Sequence, residues 1–138
     1  MDRVIGKRVK GIVDRPIGSA HPNDPEMIYP INYGYVEGLF AEDGEEQDVY
    51  IFGPDKPIKT FDGVVIAVYH RFNDVESKWI VSLDGKDYSD EEIMQAIRLV
   101  LYRVTSTTPM TMIMEYKWCL GKIILANYTI KPVLILQK

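Results

Sequence analysis

The chain has few of the features that mark several common classes of protein. It has one cysteine, Cys119, so a disulfide cannot form within it, and a reducing compartment suits it. It has no run of about 18 apolar residues, so we expect no transmembrane helix. Its first residues carry mixed charge without the apolar stretch of a signal peptide. We therefore expect a cytoplasmic protein.

Positive charge is also scarce. The chain has 16 lysine and arginine residues against 20 aspartate and glutamate residues, a net charge of −4. This balance argues against a generic binder of nucleic acid or of an anionic membrane surface. It does not exclude a small phosphate substrate held through metal ions. The length of 138 residues and the 46% content of hydrophobic residues predict one globular domain with a real core.

The charge changes sign near residue 99. Residues 1–98 contain 19 acidic and 11 basic residues, whereas residues 99–138 contain one acidic residue, Glu115, and five basic ones. We therefore divide the chain into a domain over residues 1–98, which includes the start of a helix, and a divergent tail over residues 99–138. The tail has no clear amphipathic pattern, although residues 123–128 and 130–136 are candidates for strands. We hypothesise a shifted reading frame or a recent replacement, which the coding DNA would test.

Short strands separated by turns fill the first part of the chain. Asp43-Gly44 predicts a hairpin turn, because glycine accepts a positive φ. Ser89 with Glu92 three residues later predicts the capping box of a helix over about residues 90–102. The whole pattern indicates a small β-barrel or sandwich with one helix. The predicted strands are rich in β-branched and aromatic residues and cover residues 7–14, 33–36, 49–52, 64–72 and 78–83.

The loop after residues 33–36 and the start of the next strand segment hold five carboxylates without a lysine or arginine among them: Glu42, Asp43, Glu45, Glu46 and Asp48. Two unit charges about 4 Å apart repel by roughly 4 kcal/mol at an effective dielectric constant of about 20. Water or a cation must offset that repulsion. Clusters of carboxylate oxygens suit Mg²⁺, Mn²⁺ or Ca²⁺ better than zinc. From the spacing alone, a solvated acidic turn and a metal site are both open.

Four segments in order carry a more specific pattern. Residues 29–35 read YPINYGY, and residues 43–49 read DGEEQDV. Residues 12–16, IVDRP, place an acidic residue two before a proline, and residues 76–81, ESKWIV, place one two before a lysine. Together they resemble the soluble Mg²⁺-dependent inorganic pyrophosphatases, in particular a shortened bacterial subgroup. The resemblance covers about residues 5–98 and implies a mainly β fold, an OB-like closed or partly open five-stranded barrel with one C-terminal helix.

The same resemblance implies a reaction and a site. The reaction is the metal-dependent hydrolysis of inorganic pyrophosphate to two phosphates, with Mg²⁺ as cofactor and Mn²⁺ as an alternative. The catalytic residues would be Asp48, Tyr33 and Lys78, which orient water, donate to a phosphate oxygen and neutralise phosphate charge. The metal ligands would be Asp43, Glu45, Asp48, Asp74 and Glu76. Residues that contact the substrate or support these ligands would be Asp14, Arg15 and Asn32.

Two departures from the family pattern keep other functions open. Glu45 stands where the family usually has aspartate, and residues 20–28 contain no lysine or arginine, with His21 as the sole basic side chain. The alternatives are a hydrolase of another small phosphoanhydride or phosphoester, and a non-catalytic OB-type module that binds an anion or a partner. For the main hypothesis we expect pyrophosphate and phosphate as ligands, no nucleic acid, no membrane, and a homo-oligomer, since family members often form oligomers.

Overall fold

The computed structural model describes residues 4–41, 43–71, 77–105, 110–117 and 123–130. Within these ranges the chain forms nine β-strands and one α-helix. The described part of the chain has no helix with the length and apolarity needed to cross a membrane. The elements in chain order are β1 Arg8–Arg15, β2 Ala20–His21, β3 Asp24–Ile28, β4 Asn32–Phe40, β5 Glu46–Phe52, β6 Thr60–Arg71, β7 Ser77–Ser82, α1 Asp90–Thr105, β8 Met110–Lys117 and β9 Ile123–Ile130.

Five strands close into a barrel. Their order is β1-β4-β5-β7-β6, and β6 pairs back onto β1. All neighbours in this ring run antiparallel except β5 and β7, which run parallel. The predicted mainly β fold, with a five-stranded barrel and one helix, is therefore confirmed, and the barrel is closed.

Two glycines allow β1 and β4 to cross at close range. A Cβ atom at Gly34 would lie 1.9 Å from the backbone oxygen of Ile12. A Cβ atom at Gly11 would lie 1.9 Å from the backbone oxygen of Tyr35. No other residue type fits either position without moving the backbone. The crossing places the end of β1 against the start of β4, where several predicted site residues lie.

The hydrophobic core has two layers, one on each face of the barrel wall. Side chains alternate along a strand, so β5 sends Val49 and Ile51 to the barrel interior and Tyr50 and Phe52 to its outer face. The outer layer is covered by the β2–β3 hairpin and by α1, which contributes Ile93, Met94 and Ile97. Asp48 lies two residues before Tyr50, so alternation places its side chain on the outer face too.

The helix begins as the sequence predicts. Ser89 Oγ accepts a hydrogen bond from the Glu92 amide at 3.1 Å, and Glu92 Oε1 accepts one from the Ser89 amide at 3.4 Å. This reciprocal pair is the predicted capping box. The helix ends at Thr105 rather than near Tyr102.

Residues 110–117 and 123–130 of the tail form a β-hairpin, of which the sequence pattern predicts one strand. Strand β9, Ile123–Ile130, covers the candidate strand at residues 123–128, whereas β8, Met110–Lys117, was not predicted. Strand β8 pairs with residues 67–71 of β6. The candidate strand at residues 130–136 lies almost wholly outside the described residues. The division at residue 99 stays a prediction.

Candidate functional site

A lysine, a carboxylate and a phenol meet on the outer face of the barrel. Lys78 Nζ donates a hydrogen bond to Asp48 Oδ2 at 2.5 Å and another to the Tyr33 hydroxyl at 2.9 Å. The parallel ladder pairs Val49 with Trp79, so Asp48 and Lys78 occupy equivalent positions one residue earlier. The Lys78 side chain is 13% exposed and that of Asp48 is 28% exposed. The three predicted catalytic residues, from three strands, therefore form one group.

Aromatic rings hold the Tyr33 side chain in place. Its ring centroid lies 5.6 Å from that of Tyr29 and 4.9 Å from that of Tyr50, the second in an edge-on arrangement. Lys78 Nζ lies 5.5 Å from the Tyr33 ring centroid, within the range of a cation–π interaction. Packing of the ring fixes the direction of the Tyr33 hydroxyl. The Lys78 ammonium group interacts with both the hydroxyl and the ring of Tyr33.

Asp14 and Arg15 approach this group from the end of β1. The β1–β4 register shifts between Val13 and Arg15, and Arg15 pairs opposite Tyr33. Such an irregularity redirects side chains. Arg15 Nη1 lies 3.7 Å from Asp14 Oδ2, and the positive charge of Arg15 counters part of the burial-driven rise in the pKa of Tyr29.

The pKa of Asp14 responds to burial and to two neighbouring charges. Partial burial raises this pKa above 3.8, its usual value, and the positive charge of Arg15 counters part of the rise. The negative charge of Asp48 raises it further. Burial likewise raises the pKa of Tyr29 above its usual 10.0. The site thus holds two carboxylates and two cations close enough to interact electrostatically.

The chemistry of the two carboxylates suits a hard divalent cation. Mg²⁺ usually binds through one or two protein carboxylates together with water and substrate phosphates. Asp14 and Asp48, whose charges influence each other, supply that kind of donor set. Among the residues that the structure describes, no three histidine, cysteine, aspartate or glutamate side chains lie close enough to form a metal-binding group by themselves. The residues present fit an ion completed by substrate oxygens.

The acidic hairpin tip lies in water. Asp43 and Glu45 are both exposed, and Asp43 Oδ1 accepts a hydrogen bond from the Glu45 amide at 2.9 Å. In the described part of the chain these two residues and Asp48 do not come together as a three-carboxylate metal group. Asp74 and Glu76 lie outside the described residues. The predicted five-residue metal set therefore stays a prediction.

Asn32 supports the site from within the protein. The residue is 0% exposed. Its Oδ1 accepts hydrogen bonds from the amides of Ile17 at 3.0 Å and Ile58 at 3.4 Å, and its Nδ2 donates to the Lys56 carbonyl oxygen at 3.1 Å. Both ends of the side-chain amide thus tie two loops to the start of β4, directly beside Tyr33.

Sequence reasoning missed two residues next to the site. Tyr29 is 4% exposed, its ring contacts that of Tyr33, and its pKa is influenced by the charge of Arg15. Gln47 is 5% exposed, and its side chain is hydrogen bonded to the backbone of both β5 and β7. A signal for Gln47 was present, because it is a polar residue that shares its strand face with Val49 and Ile51.

Comparison with known proteins identifies the fold. Neither a protein-family model nor a curated protein matches the sequence. The inorganic pyrophosphatase from Ehrlichia chaffeensis matches at a TM-score of 0.56 and 18% identity, over 73% of this chain and 86% of that one. The enzyme from Thermus thermophilus matches at a TM-score of 0.54 and 16% identity, over 77% of this chain and 76% of that one.

A further solved structure, an inorganic phosphatase from Anaplasma phagocytophilum, matches at a TM-score of 0.44 and 15% identity. This match covers 59% of the present chain and 62% of that one, so the chain spans less than two thirds of that protein. At the identities found, likeness extends to architecture alone. The chain has a barrel fold similar to those of the Ehrlichia and Thermus inorganic pyrophosphatases.

Proposed function

We propose that the protein hydrolyses inorganic pyrophosphate to two phosphates with the help of Mg²⁺. The observation that carries this proposal is the contact of Lys78 with both Asp48 and Tyr33, beside Asp14 and Arg15. Its position on a barrel similar to those of solved inorganic pyrophosphatases supports the same activity. Fold likeness alone does not determine function, so the proposal depends on the side chains.

The two cations of the site suit a substrate rich in negative charge. Lys78 and Arg15 would neutralise phosphate oxygens, and Arg15 is already held beside Asp14. An ammonium group only donates hydrogen bonds, so the Tyr33 oxygen is the acceptor in its contact with Lys78. In the bound complex, the Tyr33 phenol would donate its proton to a phosphate oxygen of the substrate.

The carboxylates have the complementary task. Asp48 would orient the attacking water, since its Oδ2 is fixed by Lys78 and its charge is balanced there. Asp14 and Asp48 would hold Mg²⁺ together with substrate oxygens, and Asp43, Glu45, Asp74 and Glu76 are proposed as further ligands. The bound ion would supply charge stabilisation and a lowered pKa of coordinated water. No protein nucleophile is required by this chemistry.

The direct test measures phosphate release from pyrophosphate by the purified protein, with Mg²⁺ and with the metal chelated. We expect release only with Mg²⁺, and about a 10²- to 10³-fold fall in kcat for Lys78→Met, the loss typical of removing one preorganised donor. Lys86→Met is the matched control, because Lys86 is exposed and lies over the Tyr88 ring. The control should keep wild-type kcat.

Other outcomes assign the protein to the alternatives. Release from a nucleoside diphosphate or a phosphomonoester, without release from pyrophosphate, would favour a hydrolase with another phosphate substrate. Calorimetric binding of pyrophosphate without turnover would favour a non-catalytic anion-binding module. An unchanged kcat in Lys78→Met, with an active wild type, would reject the proposed site while leaving the fold intact.

A further inference from the structure

We infer that Gln47 is a positioning residue, which fixes Asp48 and Lys78 relative to each other; its effect on catalysis rests on the proposed function. Gln47 is 5% exposed, so its side-chain amide is buried. Its Nε2 donates a hydrogen bond to the Asp48 carbonyl oxygen at 3.0 Å and to the Ser77 carbonyl oxygen at 2.6 Å. One side chain therefore bridges the backbones of β5 and β7.

The chemistry of the two partners determines which end of the amide they meet. Carbonyl oxygens only accept hydrogen bonds, and the amide nitrogen of glutamine carries two N–H donors. The nitrogen can satisfy both carbonyls at once, whereas the amide oxygen can satisfy neither. A glutamate of the same shape would place an acceptor against two acceptors. The bridge accordingly depends on glutamine chemistry and not only on side-chain volume.

The bridge lies beside the two residues that would orient water and neutralise phosphate charge in the proposal, Asp48 and Lys78. The Asp48 carbonyl belongs to the peptide that follows Asp48, and the Ser77 carbonyl belongs to the peptide that precedes Lys78. The parallel pairing of β5 with β7 begins at Val49 and Trp79. The Gln47 side-chain amide thus joins β5 and β7 just before that pairing begins. This is the level along the strands at which the Lys78 side chain contacts Asp48.

The Ser77 end of the bridge is itself anchored. The Ser77 hydroxyl and His70 Nδ1 lie 2.6 Å apart in a hydrogen bond, and the two residues pair across β6 and β7. Side-chain contacts therefore link three adjacent strands at one end of the barrel. A movement of the backbone between Ser77 and Lys78 relative to that of Asp48 would stretch the Gln47 hydrogen bonds. The hydrogen bond between Ser77 and His70 opposes the same movement from the other side.

Loss of the Gln47 bridge should change the position of the Lys78 side chain more than it changes the fold of the barrel. Lys78 Nζ lies 2.5 Å from Asp48 Oδ2 and 2.9 Å from the Tyr33 hydroxyl. A displacement of about 1 Å would lengthen both hydrogen bonds beyond their usual range. A misplacement of about 1 Å can cost about 100-fold in rate. We expect Gln47→Met to lower kcat for pyrophosphate by about 10- to 100-fold. Gln95→Met, the same change at an exposed glutamine of α1, should leave kcat unchanged.

A double-mutant cycle separates positioning from general destabilisation. If Gln47 acts through Lys78, then Gln47→Met should cost less than about twofold in kcat when Lys78 is already methionine. Gln47→Glu, which keeps the shape and removes the donors, should lose at least as much kcat as Gln47→Met. An equal fold loss in both Lys78 backgrounds, or wild-type kcat in Gln47→Glu, would overturn the inference.

Two readouts do not depend on turnover and so distinguish failure of this inference from failure of the proposed function. In urea unfolding, the midpoint shifts of Gln47→Met and Lys78→Met should sum to more than the shift of the double variant, because each removes part of one unit. Additive shifts would overturn the inference. In the wild type, NMR should show slower solvent exchange of the Gln47 side-chain amide protons than of those of Gln95. Equal exchange rates would also overturn it, whether or not the protein releases phosphate.

Discussion

Replacing Asn32 with alanine should destabilise the protein strongly although the residue is proposed to support a site on the surface. The side chain is 0% exposed and makes three hydrogen bonds, at 3.0, 3.1 and 3.4 Å. A net value of about 0.5–1.5 kcal/mol for each bond gives a loss of about 1.5–4.5 kcal/mol. The alanine variant would also leave the Ile17 and Ile58 amides and the Lys56 carbonyl without this partner.

Urea denaturation measures this loss directly. With a slope of about 2 kcal/mol per molar urea, the unfolding midpoint should fall by about 1–2 M. Asn23→Ala is the matched control, because Asn23 is exposed in the loop between β2 and β3. That variant should stay within about 0.25 M of the wild-type midpoint, which corresponds to the usual effect of a surface change.

The variant Asn32→Asp tests which atoms matter. It keeps an oxygen for the Ile17 and Ile58 amides but turns the donor toward Lys56 into an acceptor. The ionised carboxylate should therefore destabilise at pH 7, and protonation at low pH should restore a donor and part of the stability. A midpoint of Asn32→Ala within about 0.25 M of wild type, or an Asp variant whose deficit is independent of pH, would refute the assigned role.

Three further changes test other parts of the structure. Asp14→Asn should raise the urea midpoint at pH 7 but not at pH 3, because the raised Asp14 pKa makes native stability fall as the pH rises above 3.8, the usual value. Gly34→Ala should lower Tm by about 10 °C in calorimetry, since its methyl group would meet the Ile12 backbone oxygen. Ser89→Ala should cost about 1 kcal/mol in urea unfolding, because the Glu92 amide loses its cap.

The local patterns of the sequence predicted the parts of the fold that local physics controls. The turn at Gly44, which has φ +85°, and the capping box at Ser89 follow from the conformational preferences of single residues. The barrel was predicted from a family resemblance over about 90 residues. The strand pattern alone was compatible with either a barrel or a sandwich. Strand β8 was missed although apolar residues at 110, 112, 114 and 116 alternate with Thr111, Glu115 and Lys117. Methionine is not a typical strand residue, and the strand forms by pairing with β6, which is distant in sequence.

The site was predicted as a set of residues but not as a geometry. Lys78 and Tyr33 are 45 positions apart in sequence, so their contact depends on strand order and register, which spacing does not show. The bridge made by Gln47 depends on the same parallel register. The acidic tip illustrates the reverse case, because Asp43 and Glu45 are near Asp48 in sequence while their side chains are exposed in water.

The way in which β6 changes partner has a consequence for solubility. Residues 60–64 of this strand pair with β1, and residues 67–71 pair with β8. Without the β8–β9 hairpin, the second stretch would present an open row of backbone donors and acceptors, the kind of surface on which chains self-associate into aggregates. The barrel closes upstream of that stretch. A chain lacking the β8–β9 hairpin would therefore keep the five-stranded ring but expose an unpaired strand edge that promotes aggregation.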